Sequence, residues 1–203
     1  DFAPEGKFLS DKVLIAATEF ARNPQRIDQL IRQLSDTDPA LRKAAVTDLQ
    51  DAHEAAITPM LRVLANTRRA GEHEAVRGAL AEMGTDAIEP LIGALRAPDE
   101  KLRIQVIQVL GQLYANQATL HLMRPAFSNR VSKRERLTAR IAIQRIVGVM
   151  PTEHEAQVYL RQEANAFFSG VLPKKPSYDD TIEMWHWNSR TSRSVSRRFR
   201  SYD

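Results

Sequence analysis

Apolar side chains recur along this chain at i, i+3, i+4 and i+7, the spacing that lines one face of an α-helix. The segment Ile27-Asp28-Gln29-Leu30-Ile31-Arg32-Gln33-Leu34 shows it, and the pattern returns as Ile57-Thr58-Pro59-Met60-Leu61-Arg62-Val63-Leu64 and as Ile88-Glu89-Pro90-Leu91-Ile92-Gly93-Ala94-Leu95. The copies are offset by 30 and 31 residues. Between them runs a second helical unit, Leu41-Arg42-Lys43-Ala44-Ala45-Val46-Thr47-Asp48-Leu49, answered at 76–84 and 102–111 and more loosely at 139–148. Two helix types therefore alternate, and no stretch has the period and β-branched enrichment of a strand.

The punctuation agrees. Ser10, Asp38-Pro39, Thr85-Asp86, Pro98-Asp99 and Ser132 stand where helices should open, supplying a capping oxygen or an N1 proline. Thr152-Glu153-His154-Glu155 has the spacing of a capping box. Gly84, Gly111 and Gly148 sit where left-handed terminators belong. The pattern predicts ten helices in five pairs: 10–22 with 25–34, 38–51 with 54–66, 71–83 with 85–97, 99–114 with 117–128, and 132–148 with 152–168. One such pair cannot bury both of its apolar faces, whereas stacked pairs build a continuous core. The expected fold is all-α, a right-handed α-solenoid over residues 1–170 whose second helices line the concave face.

These residues resemble the HEAT-repeat family of armadillo-type folds, including its phycobilisome-lyase-like branch. The resemblance rests on the Ile-x-Pro-Leu/Met-Leu/Ile-x-x-Leu second helix at 57–64 and 88–95, and on the Leu/Val-Arg pair of the first helix at 41–42, 76–77, 102–103 and 139–140. It implies a structural ladder of first-helix arginines paired with aspartates of the preceding turn: Asp38 with Arg42 and Asp99 with Arg103. Arg77 and Arg140 belong to the same row, with His73 and Arg136 standing where their aspartates should be. The family includes bilin lyases and alkylated-base DNA glycosylases, which keeps an enzyme as a less favoured alternative.

The pattern breaks near residue 170. Residues 171–187 contain Val171-Leu172-Pro173-Lys174-Lys175-Pro176 and both tryptophans, Trp185 and Trp187, which are expected to fold back and cap the last helix pair. Trp-x-Trp would also suit a short extended stretch. Residues 188–203 form an Arg/Ser-rich tail, read as flexible or as a linker.

Composition then narrows the function. The chain has 203 residues, of which 43% are hydrophobic and 27% charged, and no cysteine. That excludes global disorder, a disulfide scaffold and cysteine-based zinc sites, and no apolar run reaches the ~18–20 residues of a membrane span. The missing initial methionine reads as processing or excision from a larger protein. The net charge of +4 equals that of the tail, where Arg190, Arg193, Arg197, Arg198 and Arg200 face only Asp203, so the rest is formally neutral.

His-Glu-Ala occurs at 53–55, 73–75 and 154–156, but Ile57, Arg77 and Val158 stand where a zinc protease needs its second histidine. No catalytic, metal or cofactor residues are assigned, and His121 on a second helix reads as a surface histidine. Aligning the second helices instead yields a candidate binding stripe of Arg32, Arg62, Glu89, Arg96 and Arg124, with Gly93 breaking the row that Arg32 and Arg62 begin. Arginine suits such a stripe through its planar fork for carboxylates and its stacking on aromatics. The expected function is a non-catalytic interaction or scaffolding module that binds a protein partner or a neighbouring domain. The alternative is a nucleic-acid-associated module using the tail.

Overall fold

The computed structural model describes residues 4–170, 181–191 and 193–200. Ten α-helices lie among them: α1 (Pro4–Ala21), α2 (Pro24–Gln33), α3 (Pro39–Asp51), α4 (Glu54–Ala65), α5 (His73–Glu82), α6 (Thr85–Ala94), α7 (Glu100–Gln112), α8 (Thr119–Phe127), α9 (Lys133–Val147) and α10 (Glu153–Phe168). A 3-10 turn at Thr67–Glu72 precedes α5 and a shorter one at Asn116–Ala118 precedes α8. The chain divides into two compact units, 1–83 and 84–203.

In the first unit each helix touches its successor or the helix after next: α1 with α2 and α3, α2 with α3 and α4, α3 with α5, and α4 with α5. The repeated apolar positions make the core, with Ile27, Ile31, Leu49, Ile57, Leu61, Leu64 and Leu80 all buried. In the second unit α6 touches α7, α7 touches α9, and α8 touches both α9 and α10, around buried Leu91, Leu102, Ile107 and Leu110. Each fully buried aliphatic side chain of this kind contributes about 1.5–3 kcal/mol.

The caps explain where the helices start. Asn23, Asp38, Asp99, Ser132 and Thr152 each accept a hydrogen bond from a first-turn backbone N–H, and Thr152 with Glu155 closes the expected capping box. Ser10 is no cap, because α1 already begins at Pro4. Gly84 (φ 64°) and Gly148 (φ 88°) take the left-handed region, but Gly111 does not. It lies inside α7, where a Cβ would come within 3.0 Å of Ala142 on α9. The left-handed residue after α7 is Tyr114 (φ 50°). Gly111 therefore serves close packing of two helices rather than termination.

The arginine ladder takes another form than expected. Asp38 and Asp99 spend their carboxylates on the caps, accepting from Ala40 N and Lys101 N at 2.8 Å each. The arginine four residues after the cap grips backbone carbonyls of the preceding turn instead. Arg42 Nη1 donates to Asp36 O (2.7 Å) and Thr37 O (3.0 Å), and Arg103 Nη1 donates to Ala97 O (2.8 Å) and Pro98 O (2.9 Å). In α9 the same place, four after Ser132, belongs to Arg136, whose Nη1 donates to Ser128 O at 3.2 Å. Arg140, assigned to that row from sequence, reaches Ala126 O (3.0 Å) with Nε. Arg77 is half-buried on α5, while His73 Nε2 lies 3.0 Å from Val63 O and 3.1 Å from Asn66 O, tying α5 back to the end of α4.

The C-terminal stretch corrects the all-α expectation. Strands β1 (Thr181–Asn188) and β2 (Arg193–Arg200) form an antiparallel hairpin with Trp187 opposite Ser194 and Trp185 opposite Ser196. The part of the Arg/Ser tail that was read as flexible is thus a strand; residues 171–180 and 201–203 lie outside the described residues. The hairpin packs on α6, and Trp185 and Trp187 go there with it rather than over the last helix pair. Two features make this seat. Ser194 Oγ is buried and donates to Pro90 O at 2.9 Å. Gly93 lets the strand approach so closely that a Cβ there would lie 2.6 Å from Ser194 Oγ and 3.0 Å from the backbone of Trp185 and His186.

Both tryptophans of the protein sit on β1, so their fluorescence reads the hairpin alone while far-UV circular dichroism reads the helices. Gly93→Ala should shift tryptophan emission to the red and weaken hairpin docking by about 1–3 kcal/mol, with helical ellipticity kept. Unchanged emission would show that Gly93 is not what the hairpin rests on.

Candidate functional site

The second unit holds a cavity of about 760 Å³ between α6, α7, α8, α9 and α10. One face of α8 supplies Leu120, His121, Arg124 and Pro125, at the spacing that brings helical side chains together. Ile92 and Leu95 come from the end of α6 with Arg96 just beyond it, Ile107 from α7, and Leu160 from α10. Arg130 and Val131 come from the loop between α8 and α9. Apolar walls thus carry a basic rim.

Arg103 and Glu135 also line the cavity. Glu135 is buried, and its carboxylate takes both Nε and Nη2 of Arg103, at 2.8 and 2.7 Å. Those hydrogen bonds raise the Arg103 pKa further above its ordinary value against the opposing effect of burial. The two charges cancel as a bidentate pair, the strong form of a charge-assisted hydrogen bond. Arg96, Arg124 and Arg130 have no ion pair among the described residues. Three positive charges therefore remain around a cavity of mixed apolar and polar lining.

His121 is the titratable group in their midst. Crowding by protein atoms lowers its pKa first, the Arg96 guanidinium lowers it further, and Glu89 opposes both. The side chain is nonetheless exposed to solvent. With its pKa held below the ordinary range, the imidazole offers a hydrogen-bonding nitrogen more readily than a fourth charge.

Of the residues predicted for a binding stripe, the structure brings Arg96 and Arg124 together on the cavity and places Glu89 close enough to act on His121. Arg32 and Arg62 lie in the first unit. Arg32 is ion-paired with Asp28, which also receives Arg69 Nη1 at 3.3 Å, and Arg62 is exposed in the last turn of α4. Sequence reasoning missed Arg130 and Glu135, while His121, read as a surface histidine, is exposed and borders the cavity. A signal for Glu135 existed: it stands three residues after the cap of α9, where α3 and α7 have Leu41 and Leu102.

Chemically, the guanidinium forks suit a carboxylate or a phosphate, and the aliphatic walls suit an apolar body attached to it. No protein-family model matches this chain, and no curated protein matches it in sequence. No helix among the described residues is long and apolar enough to cross a membrane.

Two measurements test this geometry. Glu135→Gln leaves Arg103 with half its partner and should destabilise the protein by about 3 kcal/mol, seen as a lower midpoint in urea. An anion entering the cavity favours the imidazolium, so titrating His121 by NMR with and without a carboxylate ligand should show its pKa rising on binding. By linkage, anion affinity should increase as pH falls through the His121 pKa.

Proposed function

We propose that the chain is a non-catalytic protein-interaction module of HEAT-like α-solenoid architecture, and that its second unit holds a partner segment carrying both acidic and apolar side chains. One observation carries this reading: three arginines without ion partners among the described residues surround a cavity that also has aliphatic walls and is large enough for several side chains. The architecture is supported by the repeated second-helix motif at 57–64 and 88–95 and by contacts between helices one and two places apart within each unit. Two of the three arginines, Arg96 and Arg124, belong to or follow helices of the second type, the type such arrays present to their partners. Binding here is shape and distributed charge rather than bond-making.

The probe is a labelled six-residue peptide alternating leucine and glutamate, with the glutamine version as control. Fluorescence anisotropy should show binding of the acidic form alone. Arg96→Ala, Arg124→Ala and Arg130→Ala should each weaken it on the order of tenfold, the size of a lost hydrogen bond to a charged group, with stability within about 0.5 kcal/mol of the parent. Arg32→Ala and Arg62→Ala in the first unit should leave it unchanged. Equal losses from the first-unit variants, or no binding by the intact chain, would sink the proposal.

A further inference from the structure

The β1–β2 hairpin has two unlike faces, and its register sorts the arginines between them. Side chains alternate along a strand, and directly paired residues share a face. Ser194 identifies the face on α6, because its buried hydroxyl meets Pro90 O. Ser196 and Arg198 share that row, with Trp187, Trp185 and Glu183 opposite them. The outward row is therefore Arg193, Val195, Arg197 and Phe199, with His186 opposite Val195 and Met184 opposite Arg197.

The outward row contains no carboxylate. The only acidic residue of 181–200, Glu183, pairs with Arg198 on the other face. Arg193 and Arg197 are exposed and have no ion pair among the described residues. At a strand rise of about 3.4 Å they stand roughly 14 Å apart along β2, with Val195 between them. Phe199 follows at 45% exposure, and Met184 lies diagonal to it at 57%. Cation, apolar, cation and aromatic alternate on a surface held in place by the Gly93 and Ser194 contacts with α6. A single nucleic-acid strand offers what this row lacks, backbone phosphates for the arginines and unstacked base faces for the ring. A duplex keeps its base faces stacked, and an acidic peptide brings charge without a flat partner for Phe199.

We infer that the outward face of the hairpin is a site for single-stranded nucleic acid, with Arg193 and Arg197 on phosphates and Phe199, flanked by Met184, as the stacking platform. It is independent of the cavity, since α6 meets the hairpin at Pro90 and Gly93 and the cavity at Ile92 and Leu95.

The test uses the full chain and a labelled oligothymidylate of about twelve nucleotides, followed by anisotropy between about 50 and 200 mM salt. Affinity should fall with salt. Phe199→Ala should weaken it on the order of tenfold, while Phe199→Tyr, which keeps the ring, retains it. The double variant Arg193→Gln with Arg197→Gln should lose more than Arg190→Gln with Arg198→Gln, which removes the same charge from elsewhere in the hairpin. Tryptophan emission reports that the hairpin stays docked in each. Equal loss from both double variants, tighter binding of the corresponding duplex, displacement by polyglutamate at equal charge, or no binding by the intact chain would each overturn the inference.

Discussion

The Arg103 guanidinium makes four hydrogen bonds at once, and the second unit is organised around them. Two go to the turn carbonyls of Ala97 and Pro98, fixing how the chain enters α7. Two go to Glu135, thirty-two residues on, and fasten the start of α9 to the start of α7. A carboxylate 2% exposed is tolerable only because its partner is pre-organised and its oxygens are both engaged. Ser132 adds a second tie between the same two helix starts, donating to Glu100 Oε1 at 2.7 Å while capping its own helix. This clasp forms part of the cavity wall and removes one positive charge from it. What the cavity offers a ligand is set by the arginines the clasp leaves over.

Helix α6 carries the other constraint. Aligned by their repeat, Arg32, Arg62 and Gly93 occupy one position of three helices. In the first unit that position points an arginine into solvent. On α6 the same face receives the hairpin, and no side chain fits beneath it. The break in the row is thus the footprint of β1 and β2 rather than a lapse in a binding stripe. The seat is imperfect, since Trp187 Nε1 is buried without an acceptor among the described residues, at a cost of about 1–3 kcal/mol.

The helices were legible because period, caps and prolines agree with one another. All ten expected spans correspond to observed helices, and the largest departures fall at α1, where Ser10 resembled a cap, and at α6, which ends at Ala94 rather than at 97. The arginine row was legible as a row but not as chemistry. Spacing alone cannot tell a carboxylate that pairs with Arg42 from one that caps α3 and leaves Arg42 to the carbonyls. The hairpin was hidden because its inward row mixes serine and tryptophan with Glu183 and Arg198 and its outward row carries arginines, so the hydrophobic alternation that marks a strand is diluted on both sides. The cavity was hidden for another reason: Arg130 and Glu135 join it from a loop and a first turn, outside the second-helix register that was scanned.

Charge pairing elsewhere in the protein gives the unpaired arginines their meaning. Arg26 meets Asp48 at 2.7 Å, and Arg69 meets Glu72 at 2.5 Å, pulling the Glu72 carboxyl below its ordinary range chiefly through those hydrogen bonds. Arg103 is matched by Glu135. A cation on a solvated helix side costs little, but arginines gathered round one cavity, or lined along one strand face, without a carboxylate partner among the described residues, make a local positive field that an anion can use. In the second unit they occur on the cavity rim and on the outward row of the hairpin, where apolar or aromatic surface lies beside them. A solvated charge has no need of that neighbour, whereas an anion with an apolar or flat body uses both.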